Sequence, residues 1–116
     1  HAIMDALLGA IGEQDIGKHF PDTDKTFKDI SSIILLDKVR ILVEKQNYNI
    51  SNIDTMIIAQ KPKLAEFIPL MREKISETLN IETTQISIKA TTSEYLGFTG
   101  RAEGIVCYAN ALLIKK

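Results

Sequence analysis

Apolar residues at Ile3, Leu7, Leu8 and Ile11 fall on one face of a helix, and Gly12 supplies its stop. Glu13 to Asp29 follows, containing Asp15-Ile16-Gly17 and Phe20-Pro21-Asp22-Thr23-Asp24. It is too rich in Gly, Pro and Asp for a helix or a central strand. Ser31 or Ser32 can cap a second helix running through Val43 to about Gln46, after which Asn47 and Asn49 supply turn chemistry. Ile53 to Ala59 is β-branched and apolar on both sides, the pattern of a buried strand. Pro62 and Pro69 bracket an irregular segment, with Pro69 in the first turn of a third helix that ends near Asn80. Ile86, Ile88 and Ala90 alternate with Ser87 and Lys89, as in a strand with one wet face. Gly97, Gly100 and Gly104 punctuate a loop before a final strand, Ile105 to Ile114.

That last strand is apolar on both faces. Ile105, Cys107, Ala109, Ala111 and Leu113 lie on one, and Val106, Tyr108, Leu112 and Ile114 on the other. In a small domain one face covers the helices, and the other is covered most cheaply by a neighbouring subunit. The pattern therefore predicts a small α/β (α+β) domain: a mixed sheet, helices packed on one face, and oligomerisation through the other.

Composition changes this picture little. At 116 residues the chain fits one domain, spanning 1–116, with no repeat, linker or low-complexity tract. A formal charge of −1 with dispersed Lys and Arg gives no footprint for nucleic acid. No apolar run has the length of a membrane-spanning helix. One cysteine, Cys107, rules out an internal disulfide and suits a reducing compartment; in an apolar strand it reads as inert core. The opening His1-Ala2-Ile3-Met4 lacks an initiator methionine, and the expectation is a processed, cropped or fused piece.

The loops hold the residues with chemistry. Asp15, Asp22 and Asp24 can orient polyol hydroxyls, although spacing alone favours an acidic surface turn. Lys61-Pro62-Lys63 places cations at the carboxyl end of a buried strand, where α/β sheets often bind phosphate; a solvated turn fits equally. Ala90-Thr91-Thr92-Ser93-Glu94 offers hydroxyls, backbone N–H groups and a carboxylate, a mixture that can hold phosphate oxygens and a hard divalent cation. The same residues also read as a Ser-capped helix start with Glu in its first turn, which propensity slightly prefers. Phe98-Thr99-Gly100-Arg101 sets a guanidinium among glycines, suited to an oxyanion and also common in plain turns. His1 is a candidate metal ligand, whereas His19 reads as exposed.

Together these blocks resemble the 2-C-methyl-D-erythritol 2,4-cyclodiphosphate synthase family in order and spacing. They are His1-Ala2 with Asp5-Ala6-Leu7-Leu8-Gly9-Ala10, Asp15-Ile16-Gly17, Phe20 to Asp24, Ile57-Ile58-Ala59-Gln60 with Pro62-Lys63, Lys89-Ala90-Thr91-Thr92, and Glu94 with Leu96 to Arg101, closed by Glu103-Gly104. The resemblance covers essentially the whole chain. It implies cyclisation of 4-diphosphocytidyl-2-C-methyl-D-erythritol 2-phosphate with release of CMP, in non-mevalonate isoprenoid precursor synthesis. It also implies a homotrimer whose three sheets meet around the axis, with active sites between subunits. The implied location is the bacterial cytoplasm, or the plastid in a plant.

The resemblance further assigns roles. His1 matches one ligand of an Asp/His/His zinc-type site. Glu94 matches the carboxylate that holds a second cation, magnesium or manganese, across the phosphates. Thr92 matches the threonine that steadies the transition state, and Ala90, Thr91 and Ser93 stand beside it. Asp15, Ile16, Gly17, Phe20, Pro21, Asp22, Thr23 and Asp24 match the erythritol-phosphate side. Ala59, Gln60, Lys61, Pro62, Lys63, Leu64 and Ala65 match the cytidine and diphosphate pocket. Phe98 and Arg101 match positions near the substrate and a central channel able to hold an isoprenoid diphosphate. Leu64 and Ala65 stand where Met-Leu is common, and Ala102 where glycine is frequent, a change read as harmless. The family's N-terminal strands and first metal-binding loop have no counterpart here, so the 116 residues alone are expected to turn over weakly. The competing readings are a non-catalytic trimer that binds nucleotide or isoprenoid diphosphate, the C-terminal half of a cytidylyltransferase fusion, and a bare oligomerisation module.

Overall fold

The computed structural model describes all 116 residues, His1 to Lys116. Helix α1 (Ala2–Ala10) buries Met4, Leu7 and Leu8, the stripe set by its apolar spacing. Helix α2 (Ile16–His19) is a single turn, α3 (Ser32–Lys45) follows it, and β1 (Tyr48–Ile58) runs from α3 into the cleft region. Helix α4 (Ile68–Leu79), β2 (Ile86–Thr91), the short α5 (Gly97–Gly100) and β3 (Val106–Lys115) complete the chain. Ser31 caps α3 by accepting a hydrogen bond from the Ile33 N–H at 3.3 Å.

The sheet order is β2-β1-β3, with β1 parallel to β2 and antiparallel to β3. The crossover through α4 makes the parallel pairing possible, since parallel neighbours cannot be joined by a tight turn. On the inner face, Ile53, Thr55, Ile57 and Ala59 of the β1 row and Ile86 and Ile88 of β2 are buried. They meet Met4, Leu7 and Leu8 of α1, Leu35, Leu36, Val39 and Val43 of α3, and Leu79 of α4. The small domain thus concentrates its hydrophobic stabilisation in one interlayer seam. The molecule is only 22 Å thick, one sheet and one helical layer.

The outer face is not covered by this chain. Tyr108, Leu112 and Ile114 of β3 are exposed, as is Ile105 just before the strand. Lys89 and Asp54 form a cross-strand ion pair at 2.9 Å on the same face. The face is thus polar toward β2 and apolar toward β3, in line with the expected one-sided helical layer.

Several local expectations change. The turn-rich segment does contain a helix, the single turn α2. Its start is stabilised because Asp15 accepts from the Lys18 N–H and Asp5 from the Ile16 N–H. Gly97 to Gly100 also forms one helical turn rather than a loop. Strand β1 starts at Tyr48, not Ile53, because β3 pairs along it from Tyr48–Lys115 to Ile58–Val106. Asn49 therefore lies in the strand, and Asn47 alone makes the turn, at φ 63°. Asp54, Met56 and Ile58 are half-buried, so β1 is fully buried on one side only. Cys107 is exposed rather than core, because it lines an open cleft beside His1, Ala2 and Ile3. Desolvation still raises its thiol pKa, which keeps it protonated and a poor nucleophile near neutrality. His19 is half-buried, with Nε2 2.6 Å from the Glu13 carbonyl.

Three helix ends use one device. After α1, α4 and α5 the chain enters the left-handed region at Gly12, Asn80 and Ala102. In each case the next residue's N–H reaches back to a carbonyl in the last turn: Glu13 to Leu8, Ile81 to Ser76, Glu103 to Phe98. Glycine adopts this conformation freely, and asparagine tolerates it. Alanine at φ 58° carries a steric penalty, so Ala102 is not a neutral choice. Ala102→Gly should raise stability by about 1 kcal/mol and the thermal midpoint by about 4 °C. Calorimetry of the two proteins side by side would check this, and an unchanged or lower midpoint would contradict it.

Candidate active site

The parallel register delivers the ends of β1 and β2 side by side, with Ile58 opposite Thr91. One further bond, from the Ala59 N–H to the Thr91 carbonyl at 3.0 Å, prolongs the pairing into the loops. Between those loops lies a cleft of about 490 Å³ lined by Ala59 to Ala65, Ala90, Thr91, Thr92 and Tyr95. Its lining combines small apolar residues (Ala59, Leu64, Ala65, Ala90) with Lys61, Lys63 and the two threonines. A flat base with an anionic tail fits that division of polarity.

The loop after Thr92 has an unusual backbone. Glu94 and Tyr95 both lie in the left-handed region, at φ 55° and 63°. Neither is glycine, so the conformation needs outside support. The Tyr95 N–H donates to Gln60 Oε1 at 3.1 Å, tying one wall of the cleft to the other. The Glu94 N–H donates to Thr92 Oγ1 at 3.2 Å. That bond engages an oxygen lone pair of Thr92 and leaves its hydroxyl proton free to donate. No helix starts at Ser93, so the expected Ser-capped helix is absent; its hydroxyl instead donates to the Leu96 carbonyl at 2.7 Å.

His1 lines a second cleft of about 440 Å³ with Ser32, Thr55, Ile57, Met71, Ile75, Ile88 and Cys107. Its Nε2 is 3.1 Å from Ser32 Oγ. The clefts are neighbours along one face of the sheet: Ile57 lines the second, and its strand partner Ala90 lines the first. Glu94 and Ser93 stand beside the first cleft without lining it. Asp15 and Asp24 spend carboxylate oxygens on local caps, to the Lys18 and Thr26 N–H groups. Ile16 and Phe20 pack on the core, while Gly17, Asp22 and Thr23 are exposed and Pro21 is half-buried. Arg101 is paired with Glu103 at 2.8 and 3.3 Å, and Phe98 is half-exposed near Gly104.

No group of three or more His, Cys, Asp or Glu side chains converges in this chain. His1 offers one imidazole donor and Glu94 one carboxylate, on separate elements. By themselves they do not fit a complete metal centre.

Reading the loops residue by residue missed three contributors. Tyr95 lines the cleft directly after Glu94. Thr99 is buried, and Gly100 lets α5 press against the loop: a Cβ there would lie 2.1 Å from the Tyr95 carbonyl carbon. The glycine spacing around Phe98 is the sequence signal for this close approach, although by itself it predicts only a loop.

The YgbB family model matches residues 1–114. A 2-C-methyl-D-erythritol 2,4-cyclodiphosphate synthase of Halalkalibacterium halodurans is 58% identical over 115 residues, covering 99% of this chain and 73% of its own. The bifunctional IspDF of Campylobacter jejuni superposes with a TM-score of 0.96 at 40% identity; the match covers all of this chain and 31% of that one. IspF of Plasmodium falciparum, in a CDP complex, gives 0.86 at 42% identity over 97% of this chain and 67% of its own.

The close approach at Gly100 generates a paired test. Gly100→Ala should cost about 3 kcal/mol, because backbone must move. Gly104→Ala meets only the Phe98 ring, at 3.1 Å, and should cost about 1 kcal/mol or less. Denaturant unfolding of both variants would check the order, and equal losses would refute the packing account.

Proposed function

The chain belongs to the YgbB family, and from that membership we propose that the cleft between the β1 and β2 loops is its nucleotide-diphosphate site. The activity is that of the synthases it resembles: 4-diphosphocytidyl-2-C-methyl-D-erythritol 2-phosphate is closed to 2-C-methyl-D-erythritol 2,4-cyclodiphosphate, and CMP leaves. The observation that carries this reading is the meeting of Lys61, Lys63, Thr91 and Thr92 with small apolar residues at the carboxyl ends of two parallel strands. The synthase names of the relatives favour catalysis over a non-catalytic binding trimer.

An oxygen of the 2-phosphate attacks the β-phosphorus of the diphosphate. The new P–O bond forms as the bond to the bridging oxygen breaks, and CMP departs with that electron pair on its phosphate. No strong base is required, because a phosphate monoester is largely ionised near neutrality. The difficulty is repulsion between two anions, so orientation and charge stabilisation must lower the barrier. Ala59 to Ala65 hold the cytidine end, with Lys63 toward the diphosphate. The Thr92 hydroxyl donates to a phosphoryl oxygen in the transition state, and Ala90, Thr91 and Ser93 shape the backbone around it. Asp15, Ile16, Gly17 and Phe20 to Asp24 orient the erythritol phosphate.

The remaining parts of the proposal rest on the family resemblance. His1 gives one donor to a zinc-type site, and Glu94 gives the carboxylate for magnesium or manganese; bound cations would supply charge neutralisation. Residues 1–116 form one cyclodiphosphate synthase-like domain. The exposed apolar side of β3 is open to a neighbouring subunit, and the resemblance makes that assembly a homotrimer with active sites between subunits, in the cytoplasm. Phe98 and Arg101 face its channel, where an isoprenoid diphosphate is a secondary ligand. No helix is long and apolar enough to cross a membrane.

Measuring CMP release with and without chelator tests the reading. Thr92→Ala should lower kcat about 100-fold with CDP affinity nearly unchanged, as for loss of a transition-state donor. Lys63→Ala should weaken CDP about tenfold. Chelator-insensitive turnover would remove the cations from the scheme, and failure to bind CDP would remove the site. Sedimentation should give three times the 13.0 kDa chain mass, with Tyr108→Glu shifting it toward monomer. A monomeric parent protein would overturn the assembly.

A further inference from the structure

Thr99 is not among the residues that line the cleft, yet it is buried to 6% exposure. Its Oγ1 lies 2.7 Å from Ser93 Oγ. The direction of that bond can be worked out. Ser93 has one hydroxyl proton, and it goes to the Leu96 carbonyl, which can only accept. Thr99 must therefore be the donor, and the chain of bonds runs from Thr99 through Ser93 to Leu96.

This relay spans the segment whose backbone is least able to hold itself. Glu94 and Tyr95, the two consecutive left-handed residues, lie between Ser93 and Leu96. The Leu96 N–H donates back to the Ser93 carbonyl at 3.0 Å, closing the turn from its backbone side. Gly100, next to Thr99, removes the side chain that would push α5 away from Tyr95. Sparsely populated backbone persists only where its surroundings over-determine it, and such strain gathers at functional sites.

We propose that Thr99 is a positioning residue: its hydroxyl, acting through Ser93, locks the Thr92–Leu96 turn in the shape that aims Thr92 and Glu94 at the ligand. The proposal rests on the nucleotide-diphosphate reading of the neighbouring cleft and deepens it. It separates side chains that meet the ligand from the one that holds them still.

The test uses the whole chain, CDP as the probe, and two substitutions that differ by one hydroxyl. Thr99→Val keeps the shape and removes the donor; Thr99→Ser keeps the donor. Thr99→Val should weaken CDP about tenfold, as when ligand must order a loosened loop. It should also lower kcat more than it raises KM. Thr99→Ser should stay within about threefold of the parent in both. Hydrogen exchange gives a readout independent of ligand: amides of Glu94, Tyr95 and Leu96 should exchange faster in Thr99→Val, with those of α3 unchanged. Parent-like CDP binding and exchange in Thr99→Val would overturn the positioning role while leaving the cleft assignment standing. So would equal loss in Thr99→Ser, or faster exchange spread through α3, because either marks general destabilisation. If the parent itself fails to bind CDP, the cleft assignment falls and takes this proposal with it.

Discussion

Two loops that are far apart in sequence can build one cleft only if something fixes their relative height, and here that is the parallel ladder between β1 and β2. Its last rung sets Ile58 beside Thr91, and the Ala59 to Thr91 hydrogen bond carries the alignment one residue further. A slip of one residue would turn every inner side chain outward, exchanging Ile57 for Ile58 against the helices. The buried row Ile53, Thr55, Ile57 and Ala59 therefore does two jobs. It supplies the seam that holds the layers together, and it sets where Lys63 stands relative to Thr92. Stability and site geometry cannot be varied separately along this strand.

Around that fixed ladder the chemistry is carried by tethers of a different kind. Gln60 reaches across to the Tyr95 N–H, and Ser93 bonds within its own turn. These contacts are partly exposed, and each adds little to global stability. What they contribute is order in a segment whose φ angles would otherwise relax. The same division appears in the loop before α3, where Asp15 and Asp24 use carboxylate oxygens on nearby N–H groups. An acidic turn and a substrate-facing turn are thus compatible: capping fixes the backbone, and each carboxylate keeps a second oxygen.

Much of this was legible in the sequence, for identifiable reasons. The apolar spacing of α1, the Ser31 cap, the Gly12 and Asn80 stops and the alternation of β2 are local signals, and all appear in the fold. Lys61-Pro62-Lys63 could be placed because it comes just after a strand, whereas the full Ala59–Ala65 and Ala90–Thr92 blocks came from the family resemblance. Less visible was whatever depends on pairing or close approach. Strand β1 grew because β3 supplies partners that a local pattern cannot reveal. Cys107 looked like core because its neighbours are apolar, yet it lines an open cleft. Thr99 carries no sequence pattern of its own, since its meaning lies in one bond to Ser93. Ala102 seemed harmless until its φ angle was known.

The two clefts share a rung of the sheet, since Ile57 lines one and its strand partner Ala90 lines the other, and this has a consequence for how they are held apart. The backbone between them belongs to the hydrogen-bonded ladder of β1 and β2. Such a divider cannot swing like a hinge or slide like a piston, because its atoms belong to the sheet ladder. The spacing of the two clefts is therefore fixed by the ladder, which suits a reaction joining two ends of the same small molecule.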